Sequence, residues 1–295
     1  MLELAQLSDL FEKYRPATQA RVKEFAIGGR PFSFNSVPSI MGVINLSSDS
    51  WYRESVCLTA EAAVERGKVL HAQGAALVDI GAESTLAHAS RAGDVLQNSK
   101  LLPVVQALRK AEVLVSVETY DLNVTRACLA AGANVLNLTG TEHTDELFQL
   151  VAEHDAVVII CYLQGRNVRE VTEFKFTEDV IALMEDYFSR QIDTARRNGV
   201  GKIIIDPGLG FYYRNLQDSA VRIRHQMSIF LQTFRLRSLG YPVCHALPHA
   251  FECFGEEVRC AEPFFAVLAA LGKTDLFRTH EVPRVKAVLE TLKMY

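Results

Sequence analysis

The chain has 295 residues, 49% of them apolar, with a formal net charge of −4. That length suffices for one large α/β core, and the slightly acidic balance lacks the basic stripe that nucleic acid requires, so nucleic acid is excluded as a partner. No apolar run reaches the roughly 18 residues of a membrane helix, and the acidic start MLELAQLSDLFEKYRPATQ lacks the basic lead and apolar centre of a secretion signal, so a cytoplasmic protein without membrane contact is expected.

Taken in chain order, a helix-like opening gives way to VKEFAIGGRPFSF (Val22 to Phe34), where Gly28 and Gly29 sit between alternating apolar residues. That pattern predicts a tight hairpin, placed to plug the N-terminal mouth of a barrel formed by the rest of the chain. From there one rhythm repeats: a short apolar run rich in Val and Ile, then a stretch with helical periodicity. The runs are Ser39 to Ser47, Ala76 to Glu83, Val113 to Thr119, Asn134 to Thr139, Ala156 to Leu163, Lys202 to Asp206, Pro242 to Leu247 and Asp275 to His280. Between them lie segments such as Thr59 to Gly74, which Thr59 can cap and Gly74 can close, and Leu122 to Gly132, which also ends on Gly. Continuous apolar strands alternating with helices imply a parallel sheet covered on both faces. Eight units over this length predict a (β/α)8 TIM barrel across residues 39–295, preceded by an N-terminal extension with the hairpin over 1–38. A doubly wound sheet is the alternative, with fewer strands normal at this size. The polar stretch Gln164 to Glu178 after the fifth strand has the length of a functional lid.

The six cysteines, Cys57, Cys128, Cys161, Cys244, Cys253 and Cys260, form no CxxC pair, and three of them sit in apolar segments, as reduced structural thiols do. A zinc site from Cys253, Cys260 and His249 fits no finger or ribbon spacing, and a structural role is the preferred reading.

In such a barrel the chemistry gathers at the C-terminal strand ends. The polar residues there are Asn45, Ser47, Ser48, Asp49 and Ser50 after the first strand, then Asp79, Glu83, Ser84 and Thr85, Glu118 and Thr119, Asn137 and Thr139, Asp206, and Arg278 with His280. Taken singly, an Asp or Asn at such a position is more often a cap or turn residue. Glu118, Asn137 and Asp206, however, come from three strands at the same depth. Two carboxylates accept from N–H donors while an amide both donates and accepts, which suits a pterin or a purine.

The strings MGVINLSSDSW, GAALVDIGAEST, VSVETY, AGANVLNLTG, IIIDPGLGF and LFRTHEV resemble, in order, the strand-end motifs of the dihydropteroate synthase family. The resemblance runs from about Val22 to the end of the chain. It implies an enzyme that condenses a 6-hydroxymethyl-dihydropterin pyrophosphate with para-aminobenzoate, using Mg2+ and acting as a homodimer. Carried onto this chain, it implies that Glu118, Asn137 and Asp206, with Asp79, grip the pterin. It further implies that Asn45 binds Mg2+ and that Arg278 and His280 form the anion subsite. The remaining loop candidates are Asp49, Thr85, Arg91, Phe251 and Glu252.

The chain departs from the family pattern in four places. Glu118 replaces the usual Asp. The Arg that follows the GEST string is absent, with Arg53, Arg91 or Arg166 as replacements, and the first loop carries Trp51, Tyr52 and Arg53. The Ser-Arg-Lys-Ser segment reads ALPHAFECFG, so Phe251 stands for Lys and Glu252 for Ser, and a carboxylate there is expected to repel a benzoate. A synthase-type transferase with aminobenzoate or another second substrate is the first reading. The alternatives are a methyltransferase using methyltetrahydrofolate and a non-catalytic pterin-binding paralogue. The arginine-rich Arg222 to Gly240 reads as an exposed face, and Glu262 to Gly272 as core packing.

Overall fold

The computed structural model describes residues 2–47, 52, 55–83, 92–171, 173–211 and 213–295. Each apolar run becomes a strand, with the bounds expected for Lys202–Asp206 and shorter ones for the others. They are β3 (Ser39–Asn45), β4 (Leu77–Gly81), β5 (Val115–Thr119), β6 (Val135–Leu138), β7 (Val157–Cys161), β8 (Lys202–Asp206), β9 (Cys244–Ala246) and β10 (Leu276–Thr279). All pair in parallel in the order β8-β7-β6-β5-β4-β3-β10-β9, and a bridge between Ile205 and Val243 joins the two edges. The sheet therefore curls into the eight-stranded barrel, not an open doubly wound sheet.

After an opening helix α1 (Leu4–Lys13), four of the helices on the outside start where the sequence supplies a side-chain cap. Thr59 accepts from Ala62 N ahead of α2 (Ala60–Ala72), and Asp121 accepts from Asn123 N and Val124 N ahead of α4 (Leu122–Ala130). Asp179 and Asp218 do the same for α6 (Val180–Arg197) and α7 (Ser219–Leu236). The helices α3 (Asp94–Lys110), α5 (Thr144–Glu153), α9 (Ala261–Leu271) and α10 (Val282–Leu292) complete the ring, with Phe148, Phe188, Phe230 and Phe265 fully buried. Burial of each such side chain contributes about 1.5–3 kcal/mol. Among the described residues no helix is long and apolar enough to cross a membrane.

The N-terminal hairpin is β1 (Phe25–Ile27) with β2 (Arg30–Phe32), turning on Gly28 (φ +54°) and Gly29 (φ +82°). Both turn residues need the left-handed region that glycine occupies at little cost. Gly28 is further constrained, since a Cβ there would lie 2.6 Å from Leu114 Cδ2 and 2.7 Å from Asn134 Nδ2. Val22, Ile27, Phe32 and Phe34 form one buried cluster with Met41, Leu77, Leu114, Val135, Val157 and Leu276 from the beginnings of the strands. The hairpin thus closes the N-terminal end and leaves the other end for the site.

Two sequence expectations about the late helices separate here. The α9 segment packs into the core as expected, with Phe265 and Ala266 fully buried. The arginine run does not form an exposed face. Arg235 is buried, bonded through both terminal nitrogens to Asp179 at 3.0 and 2.7 Å, with its guanidinium 4.0 Å from the Tyr14 ring centroid. Arg237 is buried against Asp275 and Asn35, and Arg222 lines the cavity at the C-terminal end of the barrel. Their partners lie on other elements, which a helical wheel cannot display.

Candidate functional site

The C-terminal end of the barrel opens into a cavity of ≈ 920 Å³, within the range of small-molecule sites. Its floor is set by strand register. Glu118 on β5 pairs with Asn137 on β6, and Cys161 on β7 pairs with Asp206 on β8, so these side chains leave neighbouring strands at matched depth. Arg278 on β10 reaches across to them. All five line the cavity.

Asp79 on β4 organises this floor from below. It is fully buried, receives Ser116 Oγ at 2.6 Å, Asn137 Nδ2 at 3.1 Å and Arg278 Nε at 2.7 Å, and does not line the cavity. Its oxygens orient Asn137 and Arg278, so it supports the ring-binding set from beneath. Arg278 also donates to Glu118 Oε2 through Nη2, and Cys161 Sγ lies 3.5 Å from Asn137 Oδ1. Gly208 N donates to Asp206 Oδ1 at 2.8 Å. The backbone there passes so close that a Cβ on Gly208 would lie 2.3 Å from Tyr162 O, with φ at +72°.

Three buried carboxyl groups thus share one guanidinium, and they cannot all be ionised cheaply. Burial pushes Glu118 up to about 7; Arg278 opposes the rise, while Asp79, Asp206 and Glu83 add to it. Burial also takes Asp206 up to about 6 against the Gly208 N–H and Arg278. Burial alone would lower the Arg278 guanidinium, but Asp79 and Glu118 hold it above its ordinary value. The floor therefore offers acceptors that can also carry a proton, an arrangement suited to a neutral ring with several N–H groups.

The rim carries four further clusters. Asn45 at the end of β3 donates through Nδ2 to Ser55 Oγ at 2.6 Å. Arg169, from the long connection after β7, is buried 3.4 Å from Glu83, whose other oxygen takes Tyr120 OH at 2.7 Å. Phe251 and Glu252 open the short helix α8 (Phe251–Phe254), and Glu252 Oε1 lies 2.6 Å from Arg222 Nη2. Finally, Tyr52, His249 and His280 gather above Glu262, with His280 Nδ1 2.7 Å and His249 Nδ1 3.6 Å from its Oε1.

These positions revise several expectations. Glu252 does not present a bare negative charge: burial alone would raise its carboxyl, but a backbone hydrogen bond and Arg222 leave it below its ordinary value as a paired group. Arg166 is exposed and paired with Glu142 and Glu170. Arg169, three residues on, lines the cavity instead, and nothing in the local sequence ranks one above the other. Cys253 and Cys260 are exposed. The group with possible metal ligands among the described residues is His249, Glu262 and His280, with no cysteine in it. Ser48, Asp49, Ser50, Trp51, Arg53, Ser84, Thr85 and Arg91 lie outside the described residues.

With this geometry in hand, known proteins give a consistent comparison. A dihydropteroate synthase from Synechocystis sp. is 28% identical over 96% of this chain and 95% of its own length. A dihydropteroate synthase from Streptococcus pyogenes serotype M6 is 28% identical over 86% of this chain and 94% of its own. The structure of Xanthomonas albilineans dihydropteroate synthase with 4-aminobenzoic acid superposes with a TM-score of 0.76 at 26% identity, covering 92% of this chain and 97% of that one. The profile of the family described as pterin binding enzyme matches residues 41–246, which take in every floor residue except Arg278. Spanning well over half its length, that match means that the chain belongs to the pterin binding enzyme family.

Proposed function

We propose that this protein is a pterin-binding transferase of the dihydropteroate synthase type, acting on a 6-hydroxymethyl-dihydropterin pyrophosphate and an arylamine in folate metabolism. The observation that carries this reading is the convergence of Glu118, Asn137 and Asp206 on one cavity floor, held by Asp79 and Arg278. Glu118 and Asp206 accept from the ring amino and imino groups while Asn137 pairs with the ring amide. Burial strengthens each of these bonds relative to water and fixes the exocyclic carbon of the pterin below the rim.

At that carbon the bond to the pyrophosphate oxygen breaks, the leaving group keeps the electron pair, and the amine nitrogen of the second substrate forms the new bond and loses a proton. Arg278 and His280 stand at the end of β10 to receive the departing charge. Arg169 on the cavity wall adds a cation where the family's loop arginine is missing. Oδ1 of Asn45 is the oxygen that would hold Mg2+, an ion that usually takes one or two protein oxygens besides water and phosphate and supplies charge neutralisation to the leaving group. Phe251 gives the second substrate an apolar surface, with Arg214 as a charged lining residue beside the Glu252–Arg222 pair.

Retention of Asn45 and His280 at the anion end favours a pyrophosphate substrate over methyltetrahydrofolate, which carries none. A cytosolic homodimer fits the same reading. The test is a condensation assay with the dihydropterin pyrophosphate, Mg2+ and para-aminobenzoate, read by product chromatography, with other arylamines as parallel arms. Product with aminobenzoate supports the synthase. Product only with another amine moves the specificity to the Phe251 and Glu252 end. Tight ring binding without product from any pair sinks the transferase and leaves a binding protein.

A further inference from the structure

The cluster of His249, Glu262 and His280 at the cavity edge has no role in binding the ring, and its construction is that of a ligand set. Glu262, on the first turn of α9, is fully buried. Its Oε2 is taken by the Thr279 hydroxyl, His280 N at 2.9 Å and Glu281 N at 3.1 Å, which fixes the carboxylate in place. Its Oε1 faces both imidazoles. His280 Nδ1 lies at 2.7 Å, while His249 Nδ1, at 3.6 Å, is beyond hydrogen-bond reach and is a buried polar atom with no hydrogen-bond partner. One donor atom from each of the three residues lies within 4.8 Å of the others.

The two rings are also held from the side. Tyr52 stacks on His249 at 4.8 Å and 19°, and on His280 at 4.6 Å and 28°, and its hydroxyl donates to Glu281, which holds Arg259. His249 Nδ1, buried without a hydrogen-bond partner, is the donor atom left for an ion, and the fixed Glu262 carboxylate supplies the charge that such an ion would meet.

We propose that His249, His280 and Glu262 bind one divalent transition ion of borderline softness, of the zinc or ferrous class, at the wall of the substrate cavity. Two imidazoles with one carboxylate suit such an ion and not magnesium, which takes oxygen ligands. Ligand bonds of roughly 2.0–2.2 Å require donor atoms a little over 3 Å apart, so the His280 to Glu262 hydrogen bond opens and the two imidazoles close from a separation of up to 4.8 Å, a shift on the order of 1 Å. The Nδ1 hydrogen bond between His280 and Glu262 is exchanged for their bonds to the ion, with the ring proton carried on Nε2. His249 and His280 both line the cavity. Resting on the transferase reading, the ion would lend positive charge to the anion end, where His280 acts through it instead of through its own N–H.

The experiment uses the full chain stripped of metal with a chelator and titrated with Co2+, read by visible d–d absorption and by thermal unfolding. One Co2+ per chain is expected, displaced by Zn2+ but not by excess Mg2+, with a band unaltered in the C253S/C260S variant. His249→Gln, whose fold is checked by circular dichroism, should weaken binding by at least about tenfold. No band at millimolar Co2+, an unchanged affinity in His249→Gln, or loss of the band with the cysteines overturns the proposal. Pterin binding measured on the same metal-free protein reports on Glu118, Asn137 and Asp206 independently, so failure of the ring assignment and failure of the metal site are told apart.

Discussion

Affinity for a neutral pterin should fall as pH is lowered from 8 to 5.5, because the free floor takes up protons that the bound ring must displace. Glu118 titrates at about 7 in the empty cavity through burial and the neighbouring carboxylates, and Asp206 at about 6. Both are raised above the ordinary carboxyl value, so each is protonated below its folded-state value and accepts from a ring N–H as the stronger, anionic acceptor only above it. At pH 5.5 the cost of deprotonating Glu118 alone is about 1.5 units, a weakening of about thirtyfold or about 2 kcal/mol, with a smaller addition from Asp206. Isothermal titration of a pterin between pH 5.5 and 8, repeated in buffers of different ionisation enthalpy, measures both the affinity and the proton released. Glu118→Gln, which cannot titrate, should lower the affinity at pH 8 and flatten the profile. A profile that is flat in the parent protein, or that rises toward acid, would refute the electrostatic argument.

Arg278→Met leaves Asp79 and Glu118 without their shared cation, and loss of a buried partner costs about 3–5 kcal/mol, visible as a lowered urea midpoint that partly recovers in acid, where the carboxyls protonate. Arg169→Ala should weaken the pyrophosphate-bearing substrate by about tenfold or more while leaving a bare pterin unaffected, since a charge-assisted contact is worth about 1.5–3 kcal/mol; equal losses for both ligands would place Arg169 in the fold alone. Gly28→Ala forces a side chain into the left-handed region against Leu114 and Asn134, and should lower stability by about 1–3 kcal/mol in chemical denaturation, with ring binding retained.

The barrel was legible because its signal is local. Val and Ile runs such as Val157–Cys161 between capped helices define a parallel strand without reference to anything distant, and the Gly28–Gly29 turn announces its hairpin by the backbone it requires. The strand-end trio was legible for the same reason, as polar residues interrupting apolar runs at one depth. What stayed hidden depends on pairing between residues far apart in the chain. Glu252 reads as an added negative charge until Arg222, 30 residues earlier, is seen to neutralise it. Arg235 reads as a surface residue until Asp179 and Tyr14 enclose it. Asp79 looks equivalent to Glu118 in sequence, yet three partners take its oxygens and place it beneath the cavity. His249 carried only a weak zinc pattern with two cysteines, and its actual neighbours, Glu262 and His280, come from α9 and the end of β10.

The most direct measurement is a crystal structure of the protein soaked or grown with 6-hydroxymethylpterin. The ring should lie on the cavity floor with Glu118, Asn137 and Asp206 all within hydrogen-bond distance of its polar edge and Asp79 touching only Ser116, Asn137 and Arg278. A ring bound elsewhere in the cavity, or contacts that bypass those three side chains, would contradict the assignment of this site.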